Sequence, residues 1–425
     1  MVKRCLLLLL IAGLSAILGK SADTYEPLPR ELDGSMMIYD FKACDPVEEW
    51  PDSLHPFHAL YVARHGARFL SSPKKVSKVE KALYEASTSG KITPRGTDFC
   101  ALLADIARVT DGNWGALSPV GVEEQQRLAE TLVALFPDIK EGERSLSACA
   151  TFVPRAVMTM YQFCHRLTDI NRQVEISTSE GPRFSPLLYF FETDSAYRTF
   201  RDKGAAWEEP YKKCVDAIVP TAPARRLLGE DASNDNRHLR DLTLEIYDVI
   251  QSNPAAGLPQ ATTRWMTEEE YRACWTADNY LHYLRNTVNP LSDAARGAVS
   301  ELVNRICADG DNAAENPDSV GVFNGYFGHA ETLMPLLSVL RIPGCHAMTL
   351  DWNAVADQWK VQDVVPLGAN LLVVMLRADS GRVYAAVRLN GRNVSPIPGR
   401  PAILEWNELS RFWKSTLDPV SALSN

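Results

Sequence analysis

The stretch Phe57-His-Ala-Leu-Tyr-Val-Ala-Arg-His-Gly-Ala-Arg68 decides the reading of this chain. Phe57 to Ala63 is a short apolar, partly β-branched run, the pattern of a buried strand. It ends in Arg64-His65-Gly66-Ala67-Arg68, and the C-terminal end of a strand is where α/β sheets place ligands. Two arginines flank one histidine, and Gly66 lets the backbone turn tightly, so three nitrogen-bearing side chains converge on one point. Guanidinium forks match phosphate oxygens, and the imidazole between them is a candidate nucleophile. A surface cluster of Arg and His is the plain alternative, but it leaves the strand placement without a reason.

Working outward, Ser118-Pro119 opens a helix, with serine as N-cap, proline at the first position, and Val122, Leu128, Leu132 and Leu135 at helical spacing. Ser145 to Ala150 is a second strand. Pro154 opens a helix through Arg166 that carries Val157, Met160, Tyr161 and Cys164 on one face. Ser319 to Tyr326 is a third strand, leading through Phe327-Gly328-His329 into an apolar helix over Thr332 to Leu340. Asn370 to Leu376 and Val383 to Leu389 form a terminal hairpin. From 171 to 316 strand-like runs are few, and helical stretches (Leu239 to Ile250, Glu268 to Arg285, Ala294 to Cys307) alternate with breaks. The expected fold is therefore an α/β core, residues 22–170 and 317–425, with a predominantly helical insertion over 171–316.

The second chemical signal is Gly328-His329-Ala330-Glu331, also between a strand end and a helix start. His329 helps hold an anion where free backbone N–H groups favour negative charge, and Glu331 supplies a carboxyl able to protonate a leaving oxygen. Alone, Glu331 reads equally as a partner of the helix dipole. Zinc is not indicated, because no second histidine lies four residues on.

RHGxR after a strand, with a late His-x-Glu at a second strand end, resembles the histidine acid phosphatase branch of the histidine phosphatases. The run Phe327-Gly-His-Ala-Glu-Thr-Leu-Met-Pro-Leu-Leu337 resembles the multiple inositol polyphosphate phosphatases, which carry His-Ala-Glu where most acid phosphatases carry His-Asp. Leu117-Ser-Pro-Val-Gly121 is similar to the family's Leu-Thr-x-x-Gly helix start. The resemblance implies that His65 is a nucleophile forming a phosphohistidine. It makes Arg64 and Arg68 ligands of the transferred phosphoryl group, His329 a further ligand and Glu331 the proton donor. Arg155, at the head of the helix after Val153-Pro154, fits the family's remaining phosphate arginine. Two departures stand out: the lead-in to Arg155 is not serine-rich, and Leu70 stands where the family has proline, which removes a backbone constraint beside the phosphate loop. Lys74, Lys75 and Lys78 follow, read either as ligands of further substrate phosphates or as a solvated face.

These residues supply positive charge and positioning without a metal or other cofactor, so metal independence is expected. A neutral His65 and a protonated Glu331 call for an acidic-to-neutral optimum. The leading reading is a phosphomonoesterase for inositol polyphosphates such as phytate. The alternatives are a broad acid phosphatase for sugar phosphates or phosphotyrosine, and an inactive phosphate-binding protein.

Among 425 residues the net charge is −9, which argues against a general nucleic-acid binder but not against a small phosphate ester met by local cations. Lys3-Arg4, the apolar run Cys5 to Leu18 and the small residues Gly19 to Ala22 read as a signal peptide over 1–21, placing the protein in the secretory pathway: extracellular, or in the endoplasmic reticulum or lysosomal lumen. Of nine cysteines, the eight beyond Cys5 then suit up to four disulfides. Asn393-Val394-Ser395 is a glycosylation sequon whose occupancy Pro396 disfavours.

Overall fold

The computed structural model describes residues 25–47 and 50–418; the expected signal peptide lies outside them. Eight strands among the described residues form one sheet: β1 (Leu54–Arg64), β2 (Arg144–Ala150), β3 (Val174–Glu180), β4 (Phe323–Gly328), β5 (Asn370–Ala378), β6 (Val383–Leu389), β7 (Arg392–Val394) and β8 (Ile403–Glu405). The order is β3-β2-β4-β1-β5-β6-β7, with β8 also on β6. β1, β2, β3 and β4 are mutually parallel, whereas β5 runs antiparallel to β1 and continues into the expected hairpin. The sheet is thus mixed, in an α/β fold, as expected.

β1 is central and buried on both faces, as its unbroken apolar run requires. Ala59, Tyr61 and Ala63 pack with Leu128, Phe163 and Phe327 on one face; Leu60 and Val62 join the larger core on the other. Helices cover both faces: α1 (Lys74–Thr88), α2 (Pro94–Thr110), α3 (Pro119–Leu135), α4 (Pro154–Ile170), α5 (Ser195–Arg201), α6 (Ala222–Leu228), α7 (Asn236–Gln251), α8 (Glu268–Asn286), α9 (Ser300–Glu315), α10 (Ala330–Val339) and α11 (Trp406–Ser415), besides further helices such as Glu208–Ile218 and Trp352–Gln358 and single turns. The start of α3 is as read: Ser118 Oγ accepts from Gly121 N at 3.3 Å and Pro119 opens the helix. At α8, Thr267 and Glu270 cap each other reciprocally.

Three expectations need correction. The helical insertion does not begin at 171, because β3 pairs with β2 at the edge of the main sheet and the helical part starts only after Glu180. Nor is the helical layer drawn from that segment alone: α1 packs on α7 and α2 on α6, so residues 74–110 share it. Finally, the eight cysteines from Cys44 onward are free thiols, six of them buried. They are spread among separate helices, strands and loops and fill core space as small apolar groups.

No helix among the described residues is long and apolar enough to cross a membrane. Asn393 is half-buried on β7, opposite Arg388, and the Ser395 hydroxyl donates to the carbonyls of Ile397 and Arg400 at 2.6 and 2.7 Å.

Candidate active site

Parallel pairing puts the two motifs side by side. Arg64 at the end of β1 is in register with Gly328 at the end of β4, and His65 N donates to Gly328 O at 3.0 Å. Both chains leave the sheet on the same rung, so His65 and His329 meet with ring centroids 5.7 Å apart. β2 ends beside them, and the turn after it delivers α4, whose second residue is Arg155. Its Nη2 lies 3.5 Å from His329 Nδ1. The structure therefore brings Arg64, His65, Arg68, Arg155, His329 and Glu331 into one site.

The loop from Arg64 to Arg68 is held from below. Gly66 N donates to Thr159 Oγ1 at 3.0 Å, and that hydroxyl donates to Arg155 O at 2.7 Å, linking the loop to α4. Glu124 of α3 is buried and accepts from Ala67 N at 2.7 Å and from Tyr39 N at 3.0 Å. A Cβ on Gly66 would sit 2.8 Å from Glu124 Oε2, so glycine is required there by close approach. The missing proline after Phe69 does not leave the loop loose: Phe69 N donates to Ala116 O, Gly115 N to Leu70 O and Ser118 N to Ala67 O, and the Leu70 side chain is buried.

Nδ1 of His65 lies 3.0 Å from its neighbour's carbonyl, Gly66 O. Only a protonated Nδ1 can bond there, which leaves Nε2 with the lone pair, the form needed for attack on phosphorus. Burial, then Arg155, Arg64 and Arg68, hold His65 well below the usual histidine range, so it is neutral. Burial and Arg155 likewise push His329 down to about 3. Crowding among cations is visible on the arginines: burial and Arg68 lower Arg64 to about 9, and burial and Arg155 lower Arg68 to about 10. Arg64, Arg68 and Arg155 each carry a buried Nε–H without a hydrogen-bond partner among the described residues. Arg155, Arg64 and Arg68 all stand close enough to His65 to act on its charge, and a group of guanidiniums about a neutral imidazole suits a tetrahedral oxyanion.

Glu331, at the first turn of α10, is about one-third exposed, with Oε1 at 4.0 Å from Arg201 Nη2. Burial opposes its charge, but Arg201 above all, with a backbone N–H and Arg64, outweighs it and pulls the carboxyl down to about 2. In the free site Glu331 is ionised, contrary to the expectation that it stands protonated. Arg201 was not visible to sequence reasoning, since it lies in α5 with no motif around it. Thr151, 3.1 Å from His329 Nε2, Thr159 and Glu124 were also missed. Of these only Glu124 carried a local signal, following the Leu-Ser-Pro-Val-Gly helix start.

The lysines stand apart. Lys74 and Lys75 are exposed at the start of α1; Lys75 Nζ pairs with Asp248 at 2.8 Å and Lys78 pairs with Glu245. Lys75 is near enough to Arg68 to feel its charge. Among the described residues, no cluster of three His, Cys, Asp or Glu side chains is placed to hold a metal.

No family model matches this sequence, and no curated protein matches it either. Solved structures do match. The Bifidobacterium longum multiple inositol polyphosphate phosphatase, in complex with inositol hexasulfate, superposes with a TM-score of 0.77 over 92% of this chain and 98% of its own, at 14% identity. The phytase from D. castellii gives 0.64 over 92% and 85%, at 16% identity. The Hafnia alvei phytase in complex with myo-inositol hexakis sulphate gives 0.53 over 87% and 99%, at 12% identity. The chain has the fold of these inositol polyphosphate phosphatases and phytases, the fold that its RHGxR and His-Ala-Glu motifs implied.

Proposed function

We propose that this protein is a phosphomonoesterase that removes phosphate from inositol polyphosphates through a phosphohistidine on His65. The observation that carries the reading is the closeness of Arg64, Arg68 and Arg155 to a neutral His65 whose Nδ1 is turned to Gly66 O, at the joint end of β1 and β4. The likeness of fold to proteins named for this substrate class supports it.

In this reading Arg64, Arg68, Arg155 and His329 bind the phosphoryl oxygens and offset their charge in the transition state. His65 Nε2 attacks phosphorus, the bond from phosphorus to the ester oxygen breaks, and Glu331 gives its proton to the departing alcohol. A water molecule then attacks the phosphorus while Glu331 takes one of its protons, and the phosphorus–nitrogen bond breaks, freeing phosphate and restoring the imidazole. Substrate brings the negative charge that Glu331 needs beside it in order to become protonated. In this reading Lys74 and Lys75, exposed at the start of α1 with Lys75 paired to Asp248, serve as ligands for phosphates remote from His65. The leader-like start of the sequence supports action in the secretory pathway.

The test is phosphate release from inositol hexakisphosphate by wild type and His65→Ala. The variant is expected to be inactive while still binding inositol hexasulfate; equal rates would overturn the assignment. Comparing inositol hexakisphosphate with p-nitrophenyl phosphate separates the reading from a broad acid phosphatase.

A further inference from the structure

Arg201 closes α5, outside both motifs, with its side chain only 10% exposed. Its Nε donates to Asn286 Oδ1 and its Nη1 to Phe191 O, each at 3.1 Å. The rings of Phe191 and Tyr197 lie 5.4 and 5.6 Å from its Cζ, and its own carbonyl accepts from the Nε and Nη2 of Arg285. Two of the three guanidinium nitrogens are therefore fixed, and the third faces Glu331 at 4.0 Å.

A clamped cation beside a proton donor works against the reaction. It favours the carboxylate, whereas an alcohol leaves readily only when it is handed a proton. The other charged groups around Glu331 do not offset it. Arg64 of β1, Arg68 of the phosphate loop, Arg155 of α4 and Arg285 of α8 are all cations, His329 is held neutral, and Tyr189 and Tyr197 are held protonated. Among the described residues, no other acidic side chain forms an ion pair with Arg201. The one phosphoryl group held at His65 is shared among the other arginines. A further anion has to come from the substrate.

We propose that a second phosphate of the substrate, on the carbon next to the one being cleaved, binds Arg201 and frees Glu331 to carry the proton that it gives the leaving oxygen. Arg201 thereby selects polyphosphates over monophosphates of plain alcohols. The inference rests on Glu331 being the proton donor. The proton enters from solvent or from the arriving phosphate, whose second ionisation lies at about 6, and the alcohol carries it away.

The experiment uses the purified full chain with inositol hexakisphosphate, β-glycerophosphate and p-nitrophenyl phosphate, the last having a leaving group that needs no proton. In Arg201→Met, kcat/KM for the hexakisphosphate relative to β-glycerophosphate should fall about tenfold or more, the range of effects a misplaced proton donor produces. The β-glycerophosphate rate should rise relative to that of p-nitrophenyl phosphate. Arg201→Gln, which keeps a donor toward Phe191, should give the same pattern and stands in if the methionine variant does not fold. Unchanged ratios, or an equal fall on all three substrates, would overturn the proposal and leave Arg201 a packing residue. Glu331→Gln separates the two layers. It should depress β-glycerophosphate turnover far more than p-nitrophenyl phosphate turnover, and if it depresses both equally, the proton-donor reading itself has failed.

Discussion

Replacing Glu124 by alanine should cost this protein both stability and turnover, although Glu124 touches no substrate. Its carboxylate is 5% exposed and accepts two backbone N–H groups, Ala67 at 2.7 Å and Tyr39 at 3.0 Å. Leaving one buried donor without an acceptor costs about 1–3 kcal/mol, so two orphaned donors cost roughly 2–6 kcal/mol. Against a total stability of about 5–15 kcal/mol that is a large share. Burial removes the solvent screening that would shrink the figure for a surface group. The Ala67 N–H lies between His65 and Arg68, so its release also lets this loop shift and displaces His65 from Arg68. Urea denaturation measures the first effect, through a lower midpoint at unchanged slope. Phosphate release measures the second, as a fall in kcat. Glu124→Gln keeps one acceptor but turns an amide N–H toward the other donor, so its loss should be smaller and still clear. A Glu124→Ala protein within 1 kcal/mol of wild type, with turnover intact, would refute the claim that α3 holds the loop through this carboxylate.

Two further outcomes follow from the site's charge. His65 and His329 stay neutral when folded but take protons near pH 6.5 once unfolded, so they contribute stability above that pH that is lost as pH falls toward the folded value of His329, about 3. Urea midpoints at pH 7.5 and 5 should therefore diverge less in His329→Asn than in wild type; identical divergence would contradict the depressed value. Exhaustive dialysis against EDTA should leave phosphate release unchanged, and a loss restored by added metal would contradict chemistry carried by these side chains without a metal.

The centre of the fold was legible because the hydrophobic pattern there had one reading. Seven consecutive apolar or aromatic-flanked positions before Arg64 fit only a strand buried on both faces, and Ser118-Pro119 and the hairpin after Asn370 carried their own start and turn signals. The same logic failed at β3, where Val174–Glu180 is an edge strand with polar, partly exposed positions and so has no apolar run to announce it. Arg201, and Glu124 despite its place after the helix start, were missed for another reason. A charge is read from sequence as solvated, and only the tertiary partners, the Ala67 and Tyr39 amides or Asn286 and Phe191, show that it is buried and used. The cysteines were read from a presumed compartment, whereas packing into separate parts of the core decided their state.

The pairing of β1 with β4 also has a consequence for how the molecule comes into being. The rung that joins Arg64 to Gly328 closes a loop spanning most of the chain, through a parallel pairing that no local turn can template. Such contacts form slowly, because loop-closure entropy is spent before they repay it. A growing chain that has emerged only as far as α9 already carries Arg64, His65, Arg68 and Arg155 and yet lacks both strands, β4 and β5, that pair with β1. Anion binding at this centre is thus a property of the finished chain, and its appearance during refolding would time the moment at which the two distant halves of the sheet meet.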